Sequence, residues 1–223
     1  AKNFNYTKAK NQLRRTIKNH LISLNDKFNS LVLLTDIHYR IAEIDSSKIY
    51  LSSINSLLNN PKLKISNEER AHHLLNKAKL LFLDNKEESY ELCRKAINST
   101  NVKNNLILDI YRALGVQFVA DNQYDSGFLY FEKAIEIQSQ HHPKDTISLV
   151  RILLQKAYTL LRSRKINESI SLYENTIRSL IFKESASRKN TYDFLKVEFY
   201  RLAIISYSLI SDFEKTIDYS IEF

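Results

Sequence analysis

The chain has 223 residues, a formal net charge of +8, two glycines, two prolines, a single cysteine and no methionine or tryptophan. So few turn-forming residues exclude an all-β fold with its many tight turns, and Cys93 alone excludes an internal disulfide or a cysteine-based zinc site. No apolar run approaches the roughly 18 residues that cross a bilayer, so no membrane insertion is expected, and no signal peptide is visible. The positive balance suits nucleic acid, an anionic surface or an acidic peptide. Yet 25 acidic residues are interspersed with 33 basic ones, and a solvated charged surface accounts for that mixture equally well. The chain opens Ala1-Lys2-Asn3 and reads as a domain of a longer protein.

Residues 1–65 carry helices without a sharp repeat. Leu13, Ile17, Leu21, Leu24 and Phe28 recur every three or four residues and form one apolar stripe. Leu31 to Ile44 continues as helix, Asp45-Ser46-Ser47 reads as a turn or cap before Ile49 to Leu58, and Asn59-Asn60-Pro61 ends that helix. Tyr39, Tyr50, Ile54, Leu57 and Pro61 fit a degenerate first helix pair.

Residues 66–223 read as an array of about four helix pairs. Ser66-Asn-Glu-Glu69 is a capping box, with Leu74, Ala78 and Leu81 on the helix that follows. Ser89, Cys93 and Ala96 lie on its partner after Asp84-Asn85, in a turn one residue shorter than the next. The second pair runs Tyr111-Arg-Ala-Leu-Gly115-Val-Gln-Phe118, a turn at Asp121-Asn-Gln123, then Tyr124-Asp-Ser-Gly127 to Phe131 and Ala134. A helix-interior glycine costs about 1 kcal/mol relative to alanine. The only two glycines stand twelve residues apart, one in each helix, so a close backbone crossing is predicted. Ala78 with Ser89 and Ala157 with Ser169 repeat that pairing of small residues, and Ile204 with Thr216 breaks it. His141-His142-Pro143 interrupts the chain before the third pair (Leu153, Ala157, Leu160; Ile166, Ser169, Tyr173, Thr176). The fourth has Tyr200, Ala203, Tyr207, Phe213 and Thr216.

This order of aromatic, Leu-Gly, aromatic, turn, Tyr, small residue, Phe and Ala resembles the tetratricopeptide repeat. The resemblance implies an all-α fold, an α-solenoid of antiparallel helix pairs wound as a right-handed superhelix, with a concave groove lined by the first helix of each pair. The closing positions Ala96, Ala134, Thr176 and Phe223 are 38, 42 and 47 residues apart; the family's repeat is 34. Longer helices and the polar insert 183–190 would absorb the excess. Carried over by position, the groove residues are His72, Asn76 and Lys79; then Asp109, Arg112 and Val116; then Arg151, Gln155, Tyr158 and Arg162; then Glu198 and Arg201. Their cations imply a protein or peptide partner with an acidic segment. Leu75 and Val116 stand where the chaperone-binding members need polar groups, so that use is not implied.

The residues for catalysis are missing. There is no phosphate loop, nucleophile elbow, His-Glu-x-x-His or dinucleotide glycine pattern. The pairs His72-His73 and His141-His142 are adjacent, and neighbours on a helix diverge by about 100°, which argues against a shared metal. The acids Glu68-Glu69 and Glu87-Glu88 suit helix starts, and Cys93 a buried, inert thiol. The expectation is a non-enzymatic binding module without cofactor or metal. The flavour of residues 66–180 is similar to repeat arrays in bacterial signalling regulators, in the cytoplasm or in the extracytoplasmic sensor of a membrane protein. The alternatives are a peptide-pheromone receptor, a nucleic-acid-binding helical protein using Arg14, Arg15 and Lys18 beside Phe4 and Tyr6, or an assembly surface. At the C-terminal end, Phe213, Ile217, Ile221 and Phe223 have nothing after them to cover one side. Further repeats or a second copy of the chain are expected there.

Overall fold

The computed structural model describes residues 6–101, 105–185 and 189–223, and among these there is no strand. Helices pack in adjacent pairs. The chain divides into two compact units, Ala1–Leu106 and Ile107–Phe223. The first helix pair of the expected 66–223 array therefore belongs with the N-terminal helices.

The first unit contains α1 (Tyr6–Lys18), α2 (Leu24–Arg40), α3 (Ile44–Leu58), α4 (Asn67–Leu81) and α5 (Lys86–Asn98). Ser23 caps α2 by accepting from the Asp26 amide, and Ser66 and Glu69 form the predicted reciprocal box at α4. Phe28, Leu31, Val32 and Ile54 form a core that Ile17, Tyr50 and Leu57 cover. One expectation is corrected here. α2 stops at Arg40, and the turn lies at 41–43, so Asp45, Ser46 and Ser47 sit inside the first turn of α3. The bend comes from Ala42 at φ 60°, a residue type that announces no turn. Ser47 is buried instead and donates to the Thr35 carbonyl at 2.8 Å.

The second unit contains α6 (Leu106–Ala120), α7 (Tyr124–His141), α8 (Thr146–Arg162) and α9 (Ile166–Leu172). The last runs through a π-helical segment, Tyr173–Ile177, into α10 (Arg178–Ser185); α11 (Lys189–Leu209) and α12 (Phe213–Glu222) follow. The expected insert 183–190 falls at the α10–α11 junction, where residues 186–188 lie outside the described ones. Val150, Leu153, Leu154 and Ala157 of α8 pack with Tyr173, Ile177, Phe199, Tyr207 and Tyr219 in the main core. The rings of Tyr173 and Phe199 meet edge to face at 5.9 Å, a favoured aromatic geometry.

One backbone device recurs. Ala42, Asn122, Arg164 and Ser211 all have φ between 59 and 66°. Each donates its amide at 3.1 Å to the carbonyl three residues back, and the next residue donates five back at 2.8–3.0 Å. This left-handed closure satisfies the last carbonyls of the first helix and launches the second. Counting back seven residues from each gives Thr35, Gly115, Ala157 and Ile204. At that level the helices cross. Ser47 donates to Thr35 O at 2.8 Å, Ser89 to Ala78 O at 2.8 Å and Ser169 to Ala157 O at 2.9 Å. In α6/α7 the serine is replaced by Gly127, where a Cβ would lie 3.2 Å from Gly115 O and 2.6 Å from Val119 Cγ2. A Cβ on Gly115 would run into the Phe131 ring. The α4/α5 turn is the short one: Asp84 and Asn85 both donate to Leu81 O, and Asn85 caps α5.

Candidate functional site

In the first unit the expected groove residues lie on α4. His72 is half-buried. Asn76 is buried and donates to the Val32 carbonyl of α2 at 3.0 Å, so it joins α4 to α2 and does not face an open groove. The repeat resemblance placed it in the groove, but a backbone acceptor on α2 makes its burial favourable. Lys79 is nearly covered and pairs with Asp36 of α2 at 3.1 Å, and Asp36 also takes Arg40 at 2.5 Å. Burial would raise the Asp36 pKa, but the charges of Lys79 and Arg40 and their hydrogen bonds win and hold it at about 2. The adjacent His73 is a core residue, pushed down to about 4 by burial and then by Lys77 and Arg70, with its ring 6.1 Å from that of Phe28.

In the second unit, Asp109 and Arg112 pair with each other along α6 at 3.1 Å, beside an exposed Val116. Arg151, Gln155 and Tyr158 are half-buried on α8. Arg162, in the last turn of α8, donates to Tyr158 Oη at 3.3 Å and reaches back to Asn122 Oδ1 at 3.2 Å in the α6/α7 turn. Its hydrogen bonds to Tyr158 and Tyr124 raise its pKa further. Lys156 bridges to Glu132 of α7 at 2.5 Å. On α11, Arg201 pairs with Glu198 at 2.7 Å. The structure therefore joins Tyr158 with Arg162, Asp109 with Arg112, and Glu198 with Arg201. Several of the expected cations already share a carboxylate on their own or an adjacent helix.

The densest polar cluster is one that sequence reasoning missed. Glu174, in the π-helical segment, accepts from Tyr207 Oη at 2.8 Å and from Tyr219 Oη, and pairs with Arg178 at 3.3 Å. Arg178 donates to Tyr219 Oη at 2.9 Å and Lys215 to Tyr207 Oη at 3.2 Å. The two tyrosine rings stack at 5.7 Å. Burial pushes the Tyr219 hydroxyl well above its ordinary range, and its bond to Glu174 pushes it further. Burial would raise Glu174 as well; Tyr219, Tyr207 and Arg178 overturn that and leave it lowered. A shallow cavity of about 410 Å³ lies beside the cluster, lined by Glu174, Arg178, Lys215, Asp218, Tyr219 and Glu222. Every acid and phenol in the core of this network is matched by a donor or acceptor within it. Its evident effect is to fasten α12 to the π-helical segment, α10 and α11. The π-helical extra residue that aims Glu174 inward has no sequence signature, although Tyr at 207 and 219 with Lys215 between them marks a polar-aromatic seam.

For chemistry, Cys93 is buried and its thiol is pushed up to about 12 by burial, far from a reactive thiolate. Among the described residues no group of three or more His, Cys, Asp or Glu is placed to hold a metal. None of their helices is long and apolar enough to cross a membrane. No family model matches the chain, and no curated protein matches it.

Proposed function

We propose that the protein is a non-catalytic binding module of tetratricopeptide type, an α-solenoid that holds an extended peptide or protein segment on the first helices of its pairs. The observation that carries this reading is the common register. Four helix pairs close through the same left-handed turn, and three of the pairs in the chain cross through a serine on the partner's carbonyl. Units built alike cannot bury an apolar face alone, and stacking them creates a continuous core and a continuous inner surface. The acidic preference of the ligand rests on the net charge of +8 and on Arg112, Arg151 and Arg162 along α6 and α8. The sensory or scaffolding part of a bacterial signalling protein is the setting that the resemblance favours.

Screening immobilised acidic, neutral and basic peptides against the labelled chain tests it. Acidic peptides are expected to bind, and the double change Arg112→Glu with Arg151→Glu to weaken them roughly tenfold or more, about 1.4 kcal/mol, with the helical circular dichroism unchanged. Binding that ignores both reversals, or no selection for acidic peptides, overturns the groove as the ligand site.

A further inference from the structure

The last helix pair leaves uncovered a face that its predecessor buries. Aligning the left-handed residues Arg164 and Ser211 sets Phe194 against Ile147, Val197 against Val150, Phe213 against Ile166 and Ile217 against Ile170. Val150 is fully buried, and Ile147, Ile166 and Ile170 pack against the main core. Their counterparts are equally apolar but open: Val197 is 44 % exposed, and Phe194, Phe213 and Ile217 more so. The α8/α9 pair is covered by α11, which packs on both of its helices. The α11/α12 pair presents the same kind of surface.

What would cover it is written on α11 itself. Phe194, Val197, Glu198, Arg201, Ile205 and Leu209 follow one another at spacings of one to four, which keeps them on a single stripe of a helix with 3.6 residues per turn. Most of that stripe is exposed, while Leu195, Phe199, Leu202 and Ser206 on the opposite side are buried. Within it Phe194, Glu198, Arg201 and Ile205 read apolar, acidic, basic, apolar, and these four are symmetric. Phe194 and Ile205 stand equally far from the midpoint between Phe199 and Tyr200, as do Glu198 and Arg201. A surface that must meet a copy of itself across a two-fold axis needs this reciprocity, in which residue i meets j and j meets i.

We propose that this end of the molecule is a homodimer interface, with α11 antiparallel to α11 of a second copy about that midpoint. Phe194 then packs on the partner's Ile205, and Glu198 pairs with the partner's Arg201, each contact occurring twice. Phe213 and Ile217 of α12 extend the apolar border. The inference does not rest on the groove reading, although it takes into the interface Glu198 and Arg201, which the repeat resemblance assigned to the groove.

Sedimentation equilibrium of the whole chain from micromolar to near-millimolar concentration tests it. A monomer–dimer equilibrium is expected. Arg201→Glu alone sets acid against acid across the axis and Glu198→Arg alone sets base against base; each is expected to weaken dimerisation by roughly tenfold or more. An equimolar mixture of the two variants is expected to recover it as a heterodimer, because both crossed pairs are again opposite in sign. An ion pair that acts only along its own helix cannot produce that rescue. Circular dichroism verifies that the variants fold, and Ile205→Lys provides a second disruption through the apolar contact. A chain monomeric throughout would overturn the proposal. A dimer indifferent to the variants, or a mixture that stays monomeric, would overturn it equally.

Discussion

The α6/α7 and α11/α12 pairs solve one problem by opposite means. Both must hold two antiparallel helices after the same left-handed turn. In α6/α7 the second helix contributes Gly127 at the crossing, and the backbones approach until a Cβ there would sit 3.2 Å from Gly115 O. Phe131 and Ala134 are then fully buried behind it. In α11/α12 the crossing residues are Ile204 and Thr216, too large for that approach, and Thr216 turns its hydroxyl onto Asp212 O of its own helix. Tyr219 is the buried residue of α12, and Glu174 with Arg178 holds it from another helix. One pair is joined by steric fit, which neither pH nor salt changes. The other is joined by a charged network, which both can weaken.

The largest expected effect falls on the steric pair. Gly115→Leu puts a side chain into the Phe131 ring, and overpacking of this kind costs about 1–3 kcal/mol. The exposed Lys133→Leu on the same pair serves as the control. Thermal melts should show a clear drop for the first and almost none for the second; equal small losses would mean that the crossing is not a constraint.

A smaller and more local effect is expected at Glu174→Gln. It replaces the charged acceptor of two tyrosines and Arg178 by a neutral one, and the difference between charged and neutral hydrogen bonds is about 1 kcal/mol. Amide exchange should accelerate in α12 while α6 and α7 stay protected. The sign of the pH dependence follows from the lowered pKa. Glu174 contributes its stabilisation fully above the ordinary glutamate value of 4.5 and loses it as pH falls through its depressed folded value. Acid should therefore loosen α12 in the native protein and leave Glu174→Gln less affected. Uniform acid loosening of both pairs would remove the contrast between them.

Much of the steric pair was legible in the sequence. Two glycines in a chain that has no others, each inside a helical pattern, admit few explanations; Ser169 follows Ala157 at the same spacing and Ser89 follows Ala78 one residue closer. The N-terminal pair was less legible. Its crossing through Thr35 and Ser47 has the same twelve-residue separation, but the left-handed turn is made by Ala42, and Asp45-Ser46-Ser47 imitates a turn where the chain is helical. The repeat resemblance assigned Lys79, Arg112 and Arg201 to the groove, yet their partners Asp36, Asp109 and Glu198 decide how much charge they offer. Asn76, assigned to the groove by the same resemblance, is buried because a carbonyl of α2, Val32 O, meets it. The Glu174 cluster was illegible: its members come from three helices, and a π-helical turn shifts the register that periodicity reads.

The most direct test is the sign of one substitution, Gly127→Ala. Helix propensity alone demands that it stabilise α7 by about 1 kcal/mol. A backbone crossing at van der Waals contact demands the reverse, because the new methyl meets Val119 Cγ2 and Gly115 O. Chemical denaturation of Gly127→Ala, of Val119→Ala and of the double variant measures both the sign and the coupling. The account predicts a loss of about 1–3 kcal/mol from Gly127→Ala alone, with roughly 1 kcal/mol or more returned when Val119 is also shortened. A stabilised Gly127→Ala, or costs that simply add, would contradict it.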